Sequence, residues 1–157
     1  MTHFDISEIF QLAIRIEENG EKFYRTMSKK SNDKKLRDLF DYLADQEVKH
    51  KELFELMVSN IEKYKPVESF PEEYFAYVRA VADDVLFDEK KTDEDIEKIK
   101  DAASAIGYAK EKESNSILYY QGLKNLVSEN QRDSINKIIE EEQAHFVELS
   151  NLKKLIT

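Results

Sequence analysis

The sequence predicts an all-α protein, an antiparallel four-helix bundle with one long crossover between its second and third helices. Three observations carry that prediction. Apolar residues recur at helical spacing in four long segments. Chain breakers are scarce, with 3 Gly and 2 Pro in 157 residues, while 36% of residues are charged and 41% hydrophobic. Two of the links between segments are short and one is long, and short links make antiparallel neighbours.

The first segment carries Ile6, Phe10, Ala13, Tyr24 and Met27 and ends in the polar stretch from Ser28 to Asp33. The second carries Leu36, Leu39, Phe40, Leu43, Phe54, Met57 and Ile61 and stops before Pro66, so the first hairpin spans about 5–64. A crossover follows over about 65–101. Within it, Pro71 after Ser69 is placed to open a short helix with Tyr74, Phe75, Val78 and Val81 as its apolar side. Thr92, with Asp95 three residues later, fits the cap of another short turn. The third segment includes Ala102, Ala105, Ala109, Tyr120, Leu123 and Val127. A turn around Ser128 to Gln131 leads to the fourth, with Ile135, Ile138, Leu149 and Leu152, closing a second hairpin over about 102–156. A chain of this length fits one domain with a sizeable core.

Composition also excludes function classes. A net charge of −9 disfavours nucleic acid and anionic membranes as partners. With no Cys, these residues hold no disulfide, iron–sulfur cluster, rubredoxin-type site or thiol nucleophile. No apolar run approaches the roughly 18 residues of a membrane span. The stretch from Met1 to Asp5 has no basic flank leading into an apolar run, and a cytoplasmic protein is the expectation.

The chemistry lies in an internal repeat. Ala13, Glu17, Asn19 and Tyr24 recur as Ala109, Glu113, Asn115 and Tyr120, each 96 positions on. Glu47-x-x-His50 recurs as Glu142-x-x-His145, 95 positions on. The two halves are thus copies of one helical hairpin, with a Glu on its first helix and Glu-x-x-His on its second. Helical register places all six on the apolar stripes rather than beside them. Four buried carboxylates without counter-charge would each cost several kcal/mol, at an order of magnitude. Two divalent cations supply four positive charges against them, and two neutral imidazoles complete the donor set. Oxygen-rich ligation with one imidazole per metal suits iron, with manganese the alternative.

On these residues the sequence resembles the rubrerythrin-like branch of the ferritin-like di-iron carboxylate superfamily. AIRIEENGEKFY (13–24) followed by LADQEVKH (43–50) is especially similar to that branch's first hairpin. The resemblance implies a ferritin-like bundle with two iron ions held by Glu17, Glu47, His50, Glu113, Glu142 and His145, Glu47 and Glu142 bridging them. It implies reaction with hydrogen peroxide or dioxygen. It also implies that Tyr24 and Tyr120 hydrogen-bond ligand carboxylates, although an ordinary amphipathic core would use tyrosines there equally well. Glu141 and Gln46 each precede a helical Glu of the pattern and are placed to orient the imidazole of the opposite copy, or to stand as polar flank. His3 lies outside the pattern and reads as solvated.

The chain departs from the family in two places. Full-length rubrerythrins carry a cysteine-ligated rubredoxin module, so electrons here are expected from a separate donor protein. Many also carry an extra Glu one turn after the third-helix ligand, where this chain has Ser116, with Gly20 at the matching place in the first copy. The resulting expectation is a homodimeric di-iron oxidoreductase. The alternative is ferritin-like iron oxidation and storage, which gel filtration separates through the size of the assembly. A third reading, a bundle whose inward polar residues only specify register, predicts no bound metal.

Overall fold

The structure is a computed structural model that describes residues 6–60, 72–85 and 89–156. Its elements are α1 (Ile6–Lys30), α2 (Lys34–Asn60), α3 (Glu72–Val85), α4 (Glu89–Lys98), α5 (Ala102–Lys124) and α6 (Glu129–Ile156), with no strand among the described residues. Helices α1 and α2 pack as one hairpin and α5 and α6 as the other. Together they form the all-α four-helix bundle, and α3 and α4 fill the crossover.

Local chemistry explains the turns. Asp33 ends the α1–α2 connection and caps α2, its Oδ1 accepting from Leu36 N at 3.2 Å. Asp101 does the same for α5, accepting from Ser104 N at 2.7 Å. Such caps contribute about 1 kcal/mol each. The short helix α3 lies on α5, where the Tyr74 hydroxyl donates to Gly122 O at 2.7 Å. A Cβ at Gly122 would stand 3.2 Å from Val78 Cγ2, so the glycine permits that close packing. Val78 is buried, with Tyr74 and Val81 packed partly against the same core, as the expected apolar side of this helix required.

Thr92 is not a cap: it lies inside α4, three residues past the first, and is buried. Its side chain faces the bundle with Ile96, four residues on, so packing rather than capping places it. The Ser69–Pro71 start, the Phe75 side chain, the Ile61–Pro66 helix end and His3 lie outside the described residues.

The core is two apolar clusters. One holds Phe10, Ala13, Phe54, Tyr119, Tyr120, Leu123 and Ile135. The other holds Phe23, Tyr24, Phe40, Leu43, Ala109 and Leu149. Each large side chain fully buried there contributes about 1.5–3 kcal/mol. Along every long helix the polar residues of the repeat fall between members of the two clusters, so the bundle has a polar waist between two greasy ends.

Candidate metal centre

The waist is built by all four long helices. Helix α1 supplies Glu17, α2 Glu47 and His50, α5 Glu113, and α6 Glu142 and His145. None is more than 5% exposed, so bulk water cannot solvate their charges. Single donor atoms of Glu47, Glu113, Glu142 and His145 lie within 4.8 Å of one another, and so do those of Glu17, His50 and Glu142. Glu142 belongs to both groups and Glu47 to one. The two imidazoles stand nearly parallel, their centroids 6.1 Å apart.

Hydrogen bonds cross between the repeats. The Tyr24 hydroxyl of α1 donates to Glu113 Oε1 of α5 at 2.5 Å. Reciprocally, the Tyr120 hydroxyl of α5 donates to Glu17 Oε1 of α1. Burial first, and then the surrounding carboxylates, hold both phenols above their ordinary range, so they stay protonated donors. Glu141 sits partly exposed beside the site, with its Oε2 2.6 Å from His50 Nε2. Gln46, its counterpart in the first copy, is half-buried on α2.

The electrostatics describe a site that neutralises itself with protons. Burial, reinforced by Glu17 and Glu142, pushes the Glu47 carboxyl well above the usual range. Burial and Glu142 do the same to Glu113, against the opposing hydrogen bond from Tyr24. For Glu142, burial is outweighed by the close approach of Glu113 and of the His50 and His145 imidazoles, and its carboxyl lies below the usual range. Burial would lower His50, but contact with Glu142 and Glu17 wins and pushes it up to about 11. Burial keeps His145 below its usual value.

Protons do not satisfy every group. Among the described residues, the buried side-chain polar atoms without a hydrogen-bond partner include Glu17 Oε2, His50 Nδ1, Glu113 Oε2, Glu142 Oε1 and His145 Nδ1. His50 Nδ1 and Glu142 Oε1 approach to 2.7 Å without the alignment of a hydrogen bond. Buried polar atoms are nearly always partnered. Five orphaned donors converging at one waist, all oxygen or imidazole nitrogen, fit a pair of divalent cations. These residues can hold such a pair and tune it through the phenols and Glu141.

Some features of the site went unread in the sequence. A Cβ at Gly20 would stand 2.6 Å from Glu47 Oε2 and 2.9 Å from its Cδ, so the glycine leaves the room in which that carboxylate lies. Lys112 flanks Glu113 with its ammonium 5.2 Å over the Tyr108 ring and 5.9 Å over Phe23. Burial lowers it to about 8, against the raising pull of Glu47 and of Asp95 on α4. A lysine beside an apolar stripe reads as a solvated flank, and nothing in the sequence distinguishes this one.

Fold and site together define a class: a ferritin-like four-helix bundle with a buried Glu/His cluster suited to a pair of metal ions. Within that class the chain belongs to the rubrerythrin family, whose sequence profile matches residues 8–153. It is also similar to a crystal structure from Thermotoga maritima described as a ferritin-like diiron-carboxylate protein. That likeness has a TM-score of 0.72 and 29% identity, and covers 100% of this chain and 99% of the other. A search of curated proteins finds no match.

Proposed function

We propose that the protein is a non-haem di-iron oxidoreductase that reduces hydrogen peroxide or dioxygen with electrons from a separate donor protein. In this reading Glu17, Glu47, His50, Glu113, Glu142 and His145 hold the two metals, one imidazole to each. The observation that carries it is the convergence of five orphaned buried donor atoms at the waist. Two ferrous ions bound there would supply the Lewis acidity and two electrons, enough to cleave the O–O bond of peroxide or to take dioxygen to the peroxide level. The chain's own residues prepare the site. Tyr24 and Tyr120 each fix one carboxylate oxygen, leaving the other to face inward. Glu141 holds His50 by Nε2, which turns Nδ1 toward Glu142. The apolar clusters on either side keep bulk water out and strengthen every charge between them. With no Cys in these residues to ligate a rubredoxin-type iron, the reading takes its electrons from a separate donor.

Anaerobic loading with ferrous iron, followed by metal analysis and a challenge with peroxide or dioxygen, tests the reading. Two irons per chain and a diferric absorption band on oxidation are expected. Manganese retained in preference to iron, or a ferrous protein inert to both oxidants, would refute it.

A further inference from the structure

A small pocket opens beside Glu47 and Glu113, and it supports an inference that rests on the redox reading above. We propose that the gap between α1 and α5, walled by Gly20 and Ser116 with Lys112 at its side, is the port by which molecules of two or three heavy atoms reach the inner carboxylates. Gly20 and Ser116 set what it admits.

The pocket's position is the first observation. It has a volume of about 20 Å³, and Glu47, Glu113 and Tyr24 form part of its wall. Space on that scale takes water-sized groups and slender molecules built from them, and excludes bulky ones. Two larger hollows, of about 290 and 320 Å³, lie around Leu36 and Ala102 and include none of the six waist residues in their walls. Of these three, the small pocket is the one whose wall includes waist donors.

The second observation is what makes the opening. Gly20 and Ser116 each stand three residues after a waist glutamate, nearly one turn on along the same face. They are the smallest residue and a small one at equivalent places in the two copies. A side chain at Gly20 would collide with the Glu47 carboxylate, and Ser116 is buried in the opposite wall. A larger residue at either place fills the gap. The third observation is charge. A waist of four carboxylates repels anions, but the Lys112 ammonium forms part of this pocket's wall. A cation at a low-dielectric opening draws in small anionic or strongly polar molecules.

Azide, a three-atom probe, tests the port on the iron-loaded, oxidised full chain by absorbance titration. Ser116→Leu is expected to keep both metals and to weaken azide binding by about tenfold or more, the scale of a misfitted aliphatic group. Gly107→Ala on the same helix is the control, since a Cβ there meets nothing within 4 Å. A Ser116→Leu protein with full metal content and unaltered azide affinity overturns the port. If that variant does not fold, Ser116→Gly decides in the other direction. It should raise the rate of oxidation by tert-butyl hydroperoxide relative to hydrogen peroxide, and an unchanged ratio overturns the proposal. The redox reading fails separately, when iron-loaded wild type binds azide but is inert to peroxide. Wild type that holds no iron takes down both.

Discussion

The two hairpins repeat their inward residues and differ in what surrounds them. Tyr24 and Tyr120 reach across to Glu113 and Glu17 in mirrored fashion, so the carboxylate frame is nearly two-fold symmetric. The histidines break the symmetry. His50 has Glu141 on one nitrogen and Glu142 near the other, and is pushed up to about 11. His145 is lowered by burial, and its ring stands nearly perpendicular to that of Tyr42, 6.0 Å away. The residue equivalent to Glu141 in the other copy is the uncharged Gln46. Repetition therefore builds the frame, and unequal surroundings make its two ends electrically unlike: Glu142 and Glu17 raise His50, whereas burial prevails at His145.

The two ends of the waist meet at Glu142, which belongs to both donor groups. Glu142→Ala should remove nearly all bound metal. It should also destabilise the metal-free protein by about 3–5 kcal/mol, because it strips the buried His50 of its counter-charge. Metal analysis and chemical denaturation read both effects. A variant that keeps one metal would show that the two ends are independent sites.

A pH series exposes the same asymmetry without mutation. Glu47, Glu113 and His50 hold protons more tightly in the folded chain than in the unfolded one. Their stabilisation is complete below the unfolded values, near 4.3 for Glu and 6.5 for His, and is lost as pH climbs toward the folded values. Glu142 and His145 are lowered and run the other way, and both lose stability only as pH falls, His145 from about 6.5 downward. Above about pH 7 only the first group acts, so the Tm of the metal-free protein should fall as pH rises from about 7 to 9. Metal binding at neutral pH should release protons, because ligands must deprotonate. A Tm that is flat across that interval, or a titration without proton release, would contradict the self-neutralised waist.

Glu141→Gln makes the second copy match the first. His50 should then titrate at lower pH by NMR, and metal affinity should weaken by about 10- to 100-fold. Gln46→Glu should raise His145, restoring symmetry from the other side. The mildest change is Tyr24→Phe against Tyr120→Phe. Each should cost about 1–2 kcal/mol in the metal-free protein, the value of a lost buried hydrogen bond. Similar losses by thermal melting would confirm the symmetric frame, and unequal ones would show that it too is biased.

Much of this was legible in the linear chain. Helical period, the paucity of Gly and Pro and the link lengths determine four long helices and their antiparallel pairing. The 96- and 95-residue repeats determine which six polar residues share the apolar stripes, because helical register is a local property that a sequence writes directly. The crossover was harder: Thr92 looks like a cap and is a buried residue of α4, since only the packed bundle shows which face of that helix is covered.

What the tertiary structure alone decided is how the helices stand against one another. The sequence leaves open which carboxylate Tyr24 reaches, and packing pairs it with Glu113 on the other hairpin. Packing likewise set Gly20 against Glu47 and Lys112 in the wall of a small opening beside the donors. Spacing along one helix specifies the direction of a side chain. Axial shift and rotation between helices, set by how two cores interlock, specify what it meets.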